Sequence, residues 1–344
     1  MNPPFVKQVF RTAAIAIVLT VASSAGAQTV LGVSTFATGA AVNATMPDSI
    51  ALGNKSVWVS YSNGADSTGL SGSSTVVQYK LNGQVRHIYS IPGYVDGLKV
   101  DRRNGLVWAM QNQDGNSTLT LINPKAGTTS KPISYGVTSG SRGYDDVVFR
   151  FNRVFVSYTN PTSPTDPTIQ LVQNGSNPLV VTPILLMGAT GTNLATGQTN
   201  QPTAQNDPDS LKLTPNGDLM LTSGGDGQLI FVGQPGTTKQ SVSFLTLLDP
   251  STGLAVSALD DALFATADQG SFYLSDTTNN QVLKIDAENL PIGSLYASVG
   301  SLNEFATVDI NTGRVTALVS NLNGPHGLQF LPNTDDNEDD NGNQ

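Results

Sequence analysis

The chain contains no cysteine, two histidines and little charge: 12% of its 344 residues are Asp, Glu, Lys or Arg. Without cysteine there can be no disulfide, thiolate zinc site, iron–sulfur cluster or cysteine nucleophile. Two histidines, His87 and His326, cannot build a three-histidine zinc site. Amphipathic helical periodicity is missing beyond the N-terminal segment. That removes the strand–turn–helix elbow of a Gly-x-Ser-x-Gly nucleophile and any helix to follow Gly224-Gly225-Asp226-Gly227 and cradle phosphate; the glycine run reads as a turn. Basic residues are the scarcer sign, 17 against 26 acidic, for a formal charge of −9. This balance repels nucleic acid and anionic membrane surfaces and leaves room for cationic partners, divalent metal ions above all.

One apolar run stands out, Ala13 to Ala22. It is half the roughly twenty residues that a bilayer span needs. Lys7 and Arg11 precede it and Ala25-Gly26-Ala27 follows, the charge, apolar stretch and small residues of a secretory signal. Residues 1–27 are therefore expected to be a signal peptide cleaved before Gln28, giving a periplasmic or secreted protein with no membrane attachment. Its removal leaves 15 basic and 26 acidic residues, a charge of −11. Core burial must hold the mature chain together, which is feasible because a 300-residue chain buries about three quarters of its unfolded surface.

What is present is a repeat. Five times an aspartate, and in a sixth copy a histidine, precedes a small or acidic residue and an apolar strand: Asp48, Asp96, Asp145, Asp209, Asp260 and His326, at spacings of 48, 49, 64, 51 and 66 residues. Nine to twelve residues behind each of the five aspartates lies a second apolar run, such as Val57-Trp58-Val59-Ser60, Val107-Trp108-Ala109-Met110 or Phe272-Tyr273-Leu274-Ser275. Turn-formers such as Asn104-Gly105 and Asn216-Gly217 separate the two, which reads as hairpins. Third and fourth strands follow in most copies, for example Thr75 to Leu81 turning at Asn82-Gly83 into Val85 to Ile91. Four short antiparallel strands in about fifty residues form the blade of a β-propeller. The expected architecture is all-β, a single propeller over 28–331 followed by a disordered acidic tail, 332–344, that has nothing to bury.

Six blades fit best, with five or seven as alternatives. The stretch 259–324 is too long for one blade, and its extra run Ser294-Leu295-Tyr296-Ala297 suggests two blades merged. The Phe272 strand is assigned to the Asp260 copy. The strand at 325–331 has no chain left to complete its blade, so Thr29 to Phe36 would close the ring. Residues 187–207, rich in Gly, Thr, Asn and Gln, read as a long insertion of the kind that is functional or disordered.

The innermost strands of a propeller begin at one mouth of its channel, so Asp48, Asp96, Asp145, Asp209, Asp260 and His326 would form a ring there, with Asp146 and Asp261 alongside. Two readings compete. Crowded carboxylates suit a hard cation such as Ca²⁺ with six to eight oxygen ligands, with Asp48, Asp96, Asp145, Asp209 and Asp260 as ligands and His326 as base or ligand. Equally, an Asp before a strand accepts backbone N–H bonds and fixes a turn. His87 falls on an outer strand and has no assigned role. Trp58, Trp108, Tyr61 and Tyr158 are expected to pack the core.

The Pro-x-Gly/Ser-Leu strand starts and the segment from Tyr273 to Asp286 (YLSDTTNNQVLKID) resemble NHL-type propeller repeats. Most of 47–331 resembles the six-bladed superfamily of gluconolactonase/senescence-marker-protein enzymes, paraoxonases and strictosidine synthase-like proteins. In lactonase members a divalent metal sits in the channel on acidic and amide side chains; the resemblance implies one here, with Asp48, Asp209 and Asp260 as the nearest matches. The Glu-Gly-Pro opening of the gluconolactonase pattern is absent, and Met46-Pro47-Asp48-Ser49 stands in its place. Pro325-His326-Gly327-Leu328 resembles the Pro-His-Gly-Ile segment of some lyase and paraoxonase-like propellers. The expected function is a monomeric exported propeller that binds a small-molecule or protein ligand at its channel mouth. The alternative is a divalent-metal-dependent lactonase or esterase. Fold alone does not choose between them.

Overall fold

Period-two alternation in the second strand of each repeat decides the architecture. In a strand, successive side chains point to opposite faces, and here both faces are apolar, so each sheet must be covered on both sides. The computed structural model shows how. It describes residues 29–135, 142–173 and 175–333; the expected signal segment, its cleavage site, Asn174 and 334–344 of the acidic tail lie outside these. Six sheets, antiparallel but for one outer strand of the fourth, stand around a central channel, and six hydrophobic clusters lie between them, one at each junction. Trp58 of the first blade, for example, packs with Leu98 and Val107 of the second, whereas its neighbours Val57 and Val59 pack with Tyr273 of the sixth. Trp58, Trp108, Tyr61 and Tyr158 are all buried, as the sequence suggests.

The first blade runs in chain order outward from the channel: Pro47–Gly53, Ser56–Tyr61, Ser73–Lys80 and Val85–Pro92. The second starts with Val95–Asp101 and Leu106–Gln111, the third with Tyr144–Arg150 and Arg153–Tyr158, the fourth with Pro208–Leu213 and Leu219–Ser223. Hairpins close where expected: Gly105 and Gly217 have φ of 74° and 79°, which glycine adopts without a Cβ penalty. His87 is exposed on the outermost strand of the first blade.

The last two blades are interleaved, which corrects one sequence expectation. The fifth blade begins with Leu259–Phe264, but the next strand, Gly270–Asp276, does not pair with it. That strand and Gln281–Glu288 form the middle of the sixth blade. The chain then returns to complete the fifth with Leu295–Val299, Glu304–Val308 and Val315–Val319, and ends on Pro325–Pro332, the inner strand of the sixth. The Phe272 strand thus belongs with His326 and not with Asp260. Aromatic packing across the junction accommodates this: Phe272 lies 4.8 Å from Tyr296 and 5.0 Å from Phe305, ring centre to ring centre. The N-terminal strand, Val30–Thr38, closes the sixth blade from outside by pairing with Gln281–Glu288, as anticipated.

The insertion 187–207 is ordered. Thr190–Asn193 runs parallel to Ser241–Thr246 on the outer edge of the fourth blade, and Gln201–Pro202 pairs with it in turn. Buried Gln205 ties it to the third blade, accepting from the Thr168 hydroxyl at 2.6 Å and donating to the Leu186 carbonyl at 3.1 Å.

Candidate functional site

Every inner strand carries the same irregularity at its start. In the first blade Pro47 faces Tyr61 and Ile50 faces Val59, so Asp48 and Ser49 together oppose Ser60. The other five blades repeat this two-against-one step at Asp96-Gly97, Asp145-Asp146, Asp209-Ser210, Asp260-Asp261 and His326-Gly327. A β-bulge of this kind re-aims side chains and ends regular pairing. Here it turns two consecutive residues per blade toward the channel. Opposite the bulge, hydroxyl groups fasten the backbone: Asp146 N–H donates to Ser157 Oγ at 2.9 Å, Asp261 N–H to Ser298 Oγ at 3.0 Å, and Ser275 Oγ donates to the Asp48 carbonyl at 2.5 Å. Two glycines are required by close approach. A Cβ on Gly97 would lie 2.1 Å from the Asp145 carbonyl oxygen, and one on Gly327 would lie 2.5 Å from that of Asp48.

The five aspartates and His326 do converge on one mouth, but as two clusters rather than a uniform ring. In the first, His326 Nδ1 stands 3.1 Å from Asp260 and 3.3 Å from Asp48. Asp48 also accepts a 2.7 Å bond from the Tyr94 hydroxyl. Asp260, above all, drives the imidazole up to about 12, against the opposing effect of burial. His326 is therefore held as an imidazolium although 40% of its side chain is exposed. In the second cluster, Asp96, Asp145 and Asp209 each bring one carboxylate oxygen within 4.8 Å of the others. Burial first, then mutual repulsion, pushes Asp96 and Asp209 well above the ordinary carboxylate range. Asp145 is raised as well, by burial above all, and its Oδ1 is buried with no hydrogen-bond partner. The Gln113 amide, turned with its nitrogen toward Asp96, reaches both carboxylate oxygens at 2.8 and 3.3 Å.

One residue further along each inner strand the picture changes. Asp146 Oδ2 accepts the Leu211 N–H of the next blade at 3.0 Å, and Asp261 Oδ2 accepts the Leu328 N–H at 2.8 Å. Each also faces a lysine: Lys99 lies 3.3 Å from Asp146, and Lys212 lies 2.7 Å from Asp261. The backbone-fastening role that the sequence offers to the whole Asp column thus belongs to these two followers. The ring carboxylates themselves engage side chains, among them Tyr94, Gln113, His326 and, at Asp145, Asp96 and Thr159.

The donor set suits a hard cation. All ligand atoms in the second cluster are carboxylate oxygens, the preference of Ca²⁺, and the buried unpaired Oδ1 of Asp145 lacks the partner that such an atom ordinarily has. Among the described residues no cation forms an ion pair with this cluster: His326 pairs with Asp48 and Asp260, and the two lysines pair with Asp146 and Asp261. Sequence reading missed Tyr94, Gln113, Lys99 and Lys212. The first two sit in connections without a repeat signal. The lysines lie three residues after a ring position, where repeat alignment could have shown them facing inward.

No family model matches the chain, and no curated protein sequence matches it. Solved structures do resemble it. A streptogramin B lyase aligns at a TM-score of 0.50 and 12% identity, over 88% of this chain and 95% of that one. A putative gluconolactonase aligns at 0.50 and 11%, over 85% and 83%. A periplasmic gluconolactonase from Pseudomonas aeruginosa aligns at 0.49 and 11%, over 83% and 88%. At such identities the likeness shows the fold, a six-bladed propeller common to gluconolactonase-like and streptogramin lyase structures. No helix among the described residues is long and apolar enough to cross a membrane.

Proposed function

We propose that this protein binds an oxygen-rich ligand at the acidic mouth of its channel through a divalent cation held by Asp96, Asp145 and Asp209. The observation that carries the reading is the buried Asp145 Oδ1, without a hydrogen-bond partner among the described residues, within a cluster of three carboxylates. A bound Ca²⁺ or similar ion would offset the repulsion and present open coordination positions to a ligand. Asp48, Asp260 and His326 form the other half of the rim, where the imidazolium and the Tyr94 hydroxyl orient the ligand by donating to it or to the carboxylates.

A second reading, a lactonase- or esterase-type hydrolase, is favoured by His326. A cation at the acidic cluster would polarise a bound carbonyl. The imidazolium beside it, positioned by Asp260 and Asp48, is suited to hand a proton to a leaving oxygen; its charge fits a donor better than a base. Export rests on the N-terminal segment, and the mass of the mature chain tests cleavage before Gln28.

The test is thermal unfolding of the mature protein in chelator and in Ca²⁺, Mg²⁺ or Zn²⁺. Saturation at a hundred times the dissociation constant adds about 2.7 kcal/mol, and Asp209→Asn should abolish the rise. No rise with any ion sinks the cation reading. If the rise occurs, a panel of lactones and aryl esters separates the two functions: turnover lost in His326→Ala supports the hydrolase, and absence of turnover leaves a binding protein.

A further inference from the structure

The far end of the channel differs chemically from the mouth. Three residues beyond each ring position the inner strands present, in blade order, Ala51, Lys99, Val148, Lys212, Leu263 and Gln329. All but Ala51 line a cavity of about 390 Å³, walled further by Leu213, Phe264 and Phe330, with Arg102 at its rim. This volume lies in the range of small-molecule sites, which are mostly apolar with a few placed polar groups.

Its polar groups are short of acceptors. Gln329 Nε2 is buried without a hydrogen-bond partner, a costly state for a donor. An ammonium has three N–H donors, and Lys99 uses one of them, on Asp146, while Lys212 uses two, on Asp261 and the Leu328 carbonyl. Among the described residues Arg102 has no ion pair. Three cations against the two carboxylates of Asp146 and Asp261 leave one positive charge. That suits a monoanion. A dianion such as phosphate would meet apolar walls and the two carboxylates behind the lysines.

We propose that this cavity is a second binding site, on the opposite face from the acidic mouth, for a small amphipathic monocarboxylate. The carboxylate would accept from Gln329 Nε2 and from Arg102 or Lys99, and its acyl chain would lie against Phe264, Phe330 and Leu213.

Calorimetric titration of the mature protein with octanoate, in chelator so that the acidic mouth holds no metal, tests the site. 1-Octanol serves as the neutral match and acetate as the chainless one. Octanoate should bind and the other two should not. Arg102→Ala and Gln329→Leu, which remove a surface charge and an unsatisfied donor, should each weaken binding about tenfold. Asp209→Asn, at the other end, should leave it unchanged. Equal binding of octanoate and octanol, no octanoate binding at millimolar concentration, or binding indifferent to both Arg102→Ala and Gln329→Leu would each overturn the proposal. None of these outcomes bears on the cation site.

Discussion

His326 and Asp48 are 278 residues apart in the chain and 3.3 Å apart across the seam between the sixth and first blades. The seam has further ties at the same level: Thr277 Oγ1 donates to the Pro47 carbonyl at 2.6 Å, and Gly327 packs on the backbone of Asp48. A group at the candidate site is thus also part of ring closure. Because the imidazole is raised from 6.5 to about 12 in the folded state, the folded protein binds the proton more tightly than the unfolded chain. Its contribution to stability is complete below about pH 6.5 and is lost as pH rises toward 12. In a His87→Gln background the single remaining imidazole should keep its protonated NMR shifts past pH 9. Titration near neutrality would refute the clamp.

The acidic cluster has the same sign in a lower pH window. Asp96, Asp145 and Asp209 are raised in the folded state, so between the ordinary and the raised values the folded protein holds more protons than the unfolded one. Stability should fall as pH rises through that window. Melting temperature followed from pH 5 to 8 in chelator should decline, and added Ca²⁺ should flatten the slope. Parallel curves would mean that the ion does not bind there.

Asp145→Asn is expected to act in two directions. Without metal it removes a buried, repelled carboxylate and should stabilise by on the order of 1 kcal/mol. With Ca²⁺ present it should forfeit the ion-induced rise. Paired denaturation curves with and without Ca²⁺ read both effects.

Asp261→Ala should behave quite differently from Asp209→Ala, although both are channel aspartates. Loss of Asp261 strands Lys212 and the Leu328 N–H, and leaving a buried charge without its partner costs about 3–5 kcal/mol. Asp209→Ala should cost less in chelator. Urea midpoints of the two variants distinguish a structural carboxylate from a site carboxylate.

Gly97→Ala and Gly327→Ala should each destabilise by upwards of about 2 kcal/mol, because neighbouring backbone has no room to move. Gly32→Ala, where the nearest atom to a new Cβ is 4.0 Å away, should be nearly silent. Urea unfolding of the three variants is a direct check on how tightly the inner strands approach.

Much of this was legible from residue order. The Asp–small pairs marked each inner strand because a bulge there needs a short or polar follower, and the turn glycines marked the hairpins. Strand partnership was not legible where spacing was neutral. Phe272-Tyr273-Leu274-Ser275 sits as far behind Asp260 as comparable runs sit behind their own aspartates, and local alternation says that a segment is a strand without saying which strand it joins. The division of the ring into a half that ion-pairs with His326 and an all-carboxylate half was equally hidden. It depends on which neighbours the single histidine reaches.

The interleaving of the last two blades governs the order in which the molecule can be made. Ser34, on the outer strand of the sixth blade, meets Lys284 from 250 residues downstream. At about 5–20 residues per second that partner arrives roughly 10–50 seconds later. The inner strand of the same blade, Pro325–Pro332, comes after the chain has gone back to finish the fifth. Four blades can assemble as they emerge, but the ring stays open until Pro325–Pro332 has been made. Val30–Thr38 is mostly exposed even when paired, so the strand that waits longest has little apolar surface to hide. A chain of this design stays unlocked until the two parts of its sixth blade, separated by the rest of the ring, have met.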